Sequence, residues 1–317
     1  DTQLCDVDVV SFYPELIRKC GLAPENMGSD FSLVYGGYID RRIAAKHAGR
    51  KTEAQTLKIA LNGTFGKLGS PYSILYAPHL LIQVTLTGQL MLLMMIERME
   101  AAGIRVVSAN TDGIVLKYPR ALEPRRLEIV QQWEHEADFK TEETRYRALC
   151  SKDVNNYIAL KQGGGAKTKG EYAPYSLMKN PENQVCNDAV VALLEHGTPI
   201  EQTVYECTDV RKFITAMKAT GGATFDGQYL GKVVRWVYRK GETRDIRYVK
   251  ANESTGNHNK VSNSDGAMPL MVLPDELPAD LDHERYIRKA YSILDDIGVV
   301  GDVRTRLLAG ENADLFV

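Results

Sequence analysis

The sequence predicts an α+β fold, an antiparallel sheet backed by helices. Three observations carry that expectation. An apolar, β-branched run at 7–12 opens the chain as a buried strand. Two short apolar runs, 104–108 and 114–117, flank the tip Ala109-Asn110-Thr111-Asp112-Gly113, as in a β-hairpin. Helical patterning fills most of the intervals between and after them.

Taken in order, the first strand is expected to end at Tyr13-Pro14. Helical segments at 31–46 and 51–60, joined near Ala48-Gly49, form a short hairpin. Gly63, Gly66, Gly69 and Pro71 then read as a turn. Residues 80–102 read as a long buried helix, too polar at its edges for a membrane span, with Gly103 placed to end it. After the hairpin, Pro124 starts a helix with Leu127, Val130, Trp133 and Ala137 near one face. Strands at 157–161 and 169–172 follow, joined by Gly163-Gly164-Gly165. That triplet lacks the Lys-Ser/Thr of a phosphate-binding loop, so a turn is the expected role. Beyond 180 the chain is expected to be mostly helical, with a loop-rich, basic interval over about 219–265.

Composition narrows the class. Apolar residues at 44% and charged residues at 25% are those of an ordinary folded protein. Five scattered cysteines, none in a C-x-x-C pair, argue against a disulfide framework or a zinc site and for a reducing, cytoplasmic setting. No signal segment opens the chain, and no membrane association is expected. The first residue is Asp1 rather than Met and an apolar segment follows at once, which points to a piece of a longer protein. The net charge of −2 is not that of an obvious nucleic-acid binder. Basic residues do gather at Arg145, Arg147, Lys152, Lys161, Lys167 and Lys169, and again over 232–250. Such stretches suit either a phosphate track or a solvated face.

Asp8 on a strand and Asp112 at a hairpin tip are the paired carboxylates that two-metal phosphoryl transfer requires. Neither alone is specific. Asp8-Val9-Val10-Ser11-Phe12-Tyr13-Pro14, however, resembles D-x-x-S-L-Y-P, motif A of the family B DNA polymerases. Lys58-Ile59-Ala60-Leu61-Asn62-Gly63-Thr64-Phe65-Gly66 is similar to their motif B, K-x-x-x-N-S-x-Y-G. Ser108-Ala109-Asn110-Thr111-Asp112-Gly113 resembles Y-G-D-T-D-S of motif C. All three occur in the family's order, and the resemblance covers 8 to about 175.

The resemblance implies a right-hand polymerase with an antiparallel-sheet palm (1–17 and 69–175), short helical-hairpin fingers (18–68) and a mostly helical thumb (176–317). It implies template-directed extension of a primer 3′-hydroxyl with dNTPs on primer–template DNA. Two Mg2+ ions, replaceable by Mn2+, would be held by Asp8, Asp112 and the Val9 carbonyl. Arg42, Lys46 and Lys58, with the Ser11 and Phe12 amides, would hold the triphosphate. Tyr13 would be the sugar gate, and Asn62 and Phe65 would line the nascent base pair. Lys152, Tyr157, Lys167 and Lys169 would contact primer and duplex. Read without the resemblance, Arg42 and Lys46 suit a solvated helix face better than a phosphate site, and the motif B match reverses that order.

The chain departs from the family at four places. Asn110, beside Thr111, replaces the first Asp of motif C. Gly113 replaces Ser and Phe65 replaces Tyr, each losing a hydroxyl. The K-K-R-Y stretch reads Val154-Asn155-Asn156-Tyr157. Compactness and departures are similar to phage-type members, and the family's N-terminal exonuclease is absent from this chain. The alternative function is a catalytically weakened polymerase-like subunit that binds DNA. A primase-type enzyme making RNA is a third, against which Tyr13 speaks.

Overall fold

The computed structural model describes residues 2–175, 180–249 and 258–308. Backbone contacts divide the chain into two units, Asp1–Tyr146 and Arg147–Val317.

In the first unit, strand β1 (Thr2–Val9) leads into helix α1 (Phe12–Lys19). Helices α2 (Gly28–His47) and α3 (Lys51–Lys67) form a hairpin, and α4 (Pro78–Ala101) follows. Strands β2 (Arg105–Asn110) and β3 (Gly113–Pro119) make the second hairpin. Helix α5 (Glu123–Ala137) then precedes β4 (Thr141–Ser151), which continues into the second unit. The strands of the first unit lie in the order β2-β3-β1-β4, with β1 antiparallel to both neighbours.

Strand alternation explains the layering. Cys5, Val7 and Val9 face a core built with Leu16, Ile17, Val84, Met95, Met99 and Trp133 from α1, α4 and α5. Asp6 and Asp8 fall on the opposite face, where the Tyr146 hydroxyl donates to the Asp6 carboxylate at 2.5 Å. The edge of the core face is tied by charge. The fully buried Arg126 donates to Glu123 at 2.8 Å and to Glu143 at 2.7 Å, and Arg145 also binds Glu123. These contacts, Arg145 foremost, hold the Glu123 carboxyl well below its usual range.

Several expected elements differ. The first strand stops at Val9, because Ser11 takes a left-handed backbone (φ 52°, ψ 39°) that turns the chain into α1. Tyr13-Pro14 therefore starts a helix rather than ending a strand, since a first-turn proline sacrifices no intrahelical bond. Helix α3 continues through Gly63 and Gly66, both outside the positive-φ region. Burial of Leu57, Leu61 and Leu68 outweighs a glycine cost of about 1 kcal/mol each. Helix α4 buries one stripe, Leu80, Val84, Gly88, Leu92, Met95 and Met99, while Ile82, Leu86 and Leu90 stay exposed. Among the described residues it is the one helix long and apolar enough by composition to cross a membrane, and its buried stripe belongs to the core.

The second unit holds the hairpin β5 (Tyr157–Lys161) and β6 (Ala166–Lys169), then helices α6 (Gln184–His196) and α7 (Ile200–Glu206). A five-stranded antiparallel sheet follows, built from β7 (Thr215–Phe225), β8 (Gln228–Tyr238), β9 (Arg247–Val249), β10 (His258–Lys260) and β11 (Ala267–Pro269). Helices α8 (His283–Asp296) and α9 (Gly301–Leu308) come last. The expectation of a mostly helical region with a loop-rich interval over 219–265 is thus corrected: among the described residues, β8, β9, β10 and most of β7 fall in that interval, and β11 follows it. Asp226 (φ 49°) and Gly227 (φ 77°) form the tight turn between β7 and β8, and Asp-Gly is the residue pair such a turn selects. Trp236 and Val237 of β8 are fully buried in a core shared with Val190, Tyr286 and Ala290 of α6 and α8. Lys250, at the end of the expected basic stretch, lies outside the described residues.

Candidate active site at the β1 and β2–β3 strand ends

The register of β1 against β3 sets Asp8 opposite Gly113, the residue after Asp112. The Val9 amide donates to the Asp112 carbonyl at 2.6 Å, locking the hairpin tip against the end of β1. Asp8 is half-buried and Asp112 exposed. Gly113 makes the approach possible: a Cβ there would lie 2.2 Å from Asp8 Oδ1 and 2.9 Å from the Val7 carbonyl oxygen. The serine of the family motif could not occupy this place without moving the carboxylate, so the departure is structural as well as chemical.

Asn110 is exposed, and its side-chain bonds are local to the turn. Its Oδ1 accepts from the Thr111 amide at 2.8 Å and the Thr111 hydroxyl at 3.0 Å. The asparagine caps the hairpin turn, a role local to residues 110–111.

The strand-to-helix turn comes next. Ser11 is the residue before α1, and the first intrahelical bond runs from the Glu15 amide to the Ser11 carbonyl at 2.9 Å. The Phe12 and Tyr13 amides precede that bond, so this helix end offers donors and a partial positive charge beside Asp8. Tyr13 lies with its ring 4.8 Å from that of Phe65 on α3. Burial first, and then the Asp112 charge, raise the Tyr13 phenol above its ordinary value. Gly88 of α4 allows the ring this position, since a Cβ there would meet Tyr13 Cε1 at 2.9 Å.

The helical hairpin supplies the cations. Arg42 and Lys46 lie one turn apart on α2: Arg42 donates to the Ser11 hydroxyl in the turn after β1, and Lys46 pairs with Glu142 of β4. Glu142 is itself paired in register with Asp8. This third carboxylate escaped the sequence reading because β4 did, although Glu142 and Thr144 alternate with Glu143 and Arg145 as strand faces would. Lys58, Asn62 and Phe65 share one face of α3 by their spacing, and the Phe65–Tyr13 contact directs that face to the end of β1. Lys58 and Asn62 are exposed.

The site's potential ligands for a cation are all oxygens, from Asp8, Asp112 and the Val9 carbonyl, a set that suits hard divalent ions such as Mg2+ or Mn2+. Among the described residues no group of three or more His, Cys, Asp or Glu is arranged to hold a metal. Two carboxylates and one carbonyl would leave about half of a six-coordinate ion's positions to other ligands.

The residues expected to grip the primer lie in the second unit. Register pairs Tyr157 with Lys169 and Ala159 with Lys167, so Tyr157, Lys167 and Lys169 share one face of the β5–β6 hairpin. Lys152 binds Glu171 at 2.9 Å and Asp296 at 3.5 Å. Arg147 donates to the Leu194 carbonyl at 2.7 Å, at the C-terminal end of α6. Together with Arg145, bound to Glu123, these contacts leave the 145–169 stretch with fewer uncommitted cations than its sequence suggests.

No protein-family model matches this sequence, and no curated protein matches it. Its fold is similar to the solved structure of the family B DNA polymerase from the hyperthermophilic archaeon Pyrobaculum calidifontis. That likeness has a TM-score of 0.54 at 16% identity, covering 95% of this chain and 46% of the archaeal one. The chain has a family B polymerase-like fold and spans less than half the length of that polymerase.

Proposed function

We propose that this chain carries a template-directed DNA polymerase activity, extending a primer 3′-hydroxyl with dNTPs on primer–template DNA in the cytoplasm. The observation that supports it most is the meeting of Asp8 with the Asp112 hairpin tip, beside a helix end flanked by Arg42 and Lys46, on a polymerase-like fold. In this reading residues 1–17 and 69–175 serve as palm, 18–68 as fingers and 176–317 as thumb.

Asp8, Asp112 and the Val9 carbonyl would hold the divalent ions. When bound, Mg2+ would favour ionisation of the primer hydroxyl and offset charge on the phosphates. The residues of the chain do the rest by position and charge. The Ser11 and Phe12 amides, with Arg42, Lys46 and Lys58, take the triphosphate oxygens. The Tyr13 ring, backed by Phe65 and Gly88, fills the space a 2′-hydroxyl would need, which selects deoxynucleotides. Asn62 lines the base pair, and Tyr157, Lys167 and Lys169 follow the duplex backbone.

Primer extension with Mg2+ and dNTPs tests the reading, with Asp8→Asn and Asp112→Asn as controls. Extension by the parent and none by either variant is expected, with duplex binding kept in all three. A folded, duplex-binding parent that never extends a primer would favour the second reading, a DNA-binding subunit with a weakened site. Asn110 supports that second reading, because its side-chain oxygen is committed to Thr111.

A further inference from the structure

Glu142 is an acidic residue that the polymerase motifs leave unassigned. It sits on β4 directly opposite Asp8 in register, and its carboxylate pairs with the Lys46 ammonium of α2. One turn earlier on the same helix, Arg42 donates to the Ser11 hydroxyl in the turn between β1 and α1. Arg42 and Lys46 are therefore each partnered, by the turn after β1 and by β4, and the Lys46 partner is an anion. A carboxylate on Lys46 presents the same chemistry as a non-bridging phosphate oxygen: a hydrogen-bonded negative charge on a lysine nitrogen.

We infer that Glu142 is a positioning residue for polyphosphate binding, a built-in anion that holds Lys46 beside Asp8 and is displaced when a triphosphate arrives. The inference rests on the proposed nucleotide site and deepens it. Ligand entry would exchange one ion pair for another, so Glu142 competes with the ligand while keeping α2 against the sheet. Side chains at 47% and 57% exposure make this exchange easy. An exposed pair of this kind alters an equilibrium by about two- to fivefold.

Equilibrium titration of the full chain with inorganic tripolyphosphate reads the exchange without any catalysis. Glu142→Gln keeps the shape of the side chain and should tighten tripolyphosphate about two- to fivefold, and Lys46→Gln should weaken it. In the Lys46→Gln background, Glu142→Gln should have almost no effect. Unchanged or weaker binding by Glu142→Gln would overturn the inference. So would an equal gain with and without Lys46, which would mean only a general loss of negative charge. Unfolding midpoints of all variants should match the parent, because the pair is at the surface. In primer extension, Glu142→Gln should lower KM for dNTPs more than it alters kcat. Failure of extension in the parent with the tripolyphosphate cycle intact would overturn the polymerase reading alone. Extension with a flat cycle would overturn only the role of Glu142.

Discussion

Gly113 bears the most direct test of the candidate site. Replacing it with alanine adds one carbon at the point where β3 faces Asp8. That carbon would stand 2.2 Å from Asp8 Oδ1, 2.9 Å from the Val7 carbonyl oxygen and 3.2 Å from Asp8 Cα, where ordinary contact begins near 3.4 Å. Rotation of the carboxylate relieves only the first of these contacts, because the other two are with backbone. The strands must also part slightly, which strains the 2.6 Å bond from the Val9 amide to the Asp112 carbonyl. Overfilling of this kind costs about 1–3 kcal/mol. Displacing a catalytic group by about 1 Å costs roughly a hundredfold in rate. Urea unfolding and single-turnover primer extension should therefore both register Gly113→Ala, with duplex affinity unchanged. Gly113→Ser, which restores the family's motif residue, should be no better. Parental stability and rate in both variants would refute the pairing of Asp8 with Gly113 on which the site is built.

Three further outcomes are expected. Gly88→Ala pushes the Tyr13 ring and should lower selectivity for dNTPs over rNTPs roughly two- to tenfold, as for about 0.5–1.5 kcal/mol of rotamer strain; an unchanged ratio in a nucleotide competition would break the link between α4 and the proposed sugar gate. Glu123→Gln strips Arg145 and one side of the buried Arg126, at a cost of about 2 kcal/mol in urea unfolding near neutral pH. Because the folded Glu123 carboxyl titrates below its ordinary 4.5, its contribution is fully present above that pH and is lost as pH falls through the folded value. The deficit of the variant should shrink in acid, and a deficit independent of pH would assign it to packing. Among the thiols, burial pushes Cys5, Cys150 and Cys186 up to about 12, whereas Cys20 is exposed. A disulfide reagent at pH 8 should modify Cys20 rapidly and those three only on unfolding; a fast phase that persists in Cys20→Ser with three-cysteine amplitude would contradict this burial.

The elements legible in the sequence were those with local signals. Gly103 (φ 75°) follows the end of α4 as expected, and Thr111-Asp112, within the expected tip at 109–113, lies between β2 and β3. The pairing of Asp8 with the Asp112 tip needed only two strands and a hairpin. What escaped notice depends on distant partners or on weak patterning. Ser11 turns left-handed although most such residues are glycine, so α1 could not be seen behind a strand-like run. Strand β4 carries Glu142, Glu143, Arg145 and Arg147, charges that look like a loop until Arg126 and Lys46 are placed beside them. In β7, Gly221 and Gly222 hide a strand whose turn, Asp226-Gly227, was the clearest unread signal. The cations of 145–169 were visible as charge, but their partners Glu123, Glu171 and Asp296 were not.

The backbone of Ser11 also limits how this protein can be improved. A left-handed residue is where glycine or asparagine would normally raise stability, since serine there costs roughly 1 kcal/mol. Ser11→Gly would relax the turn yet remove the hydroxyl that receives Arg42. Stability and anchoring of the α2 cation are thus set against each other at a single position. Engineering aimed at heat tolerance would be drawn to Ser11 and, in relaxing it, would release Arg42.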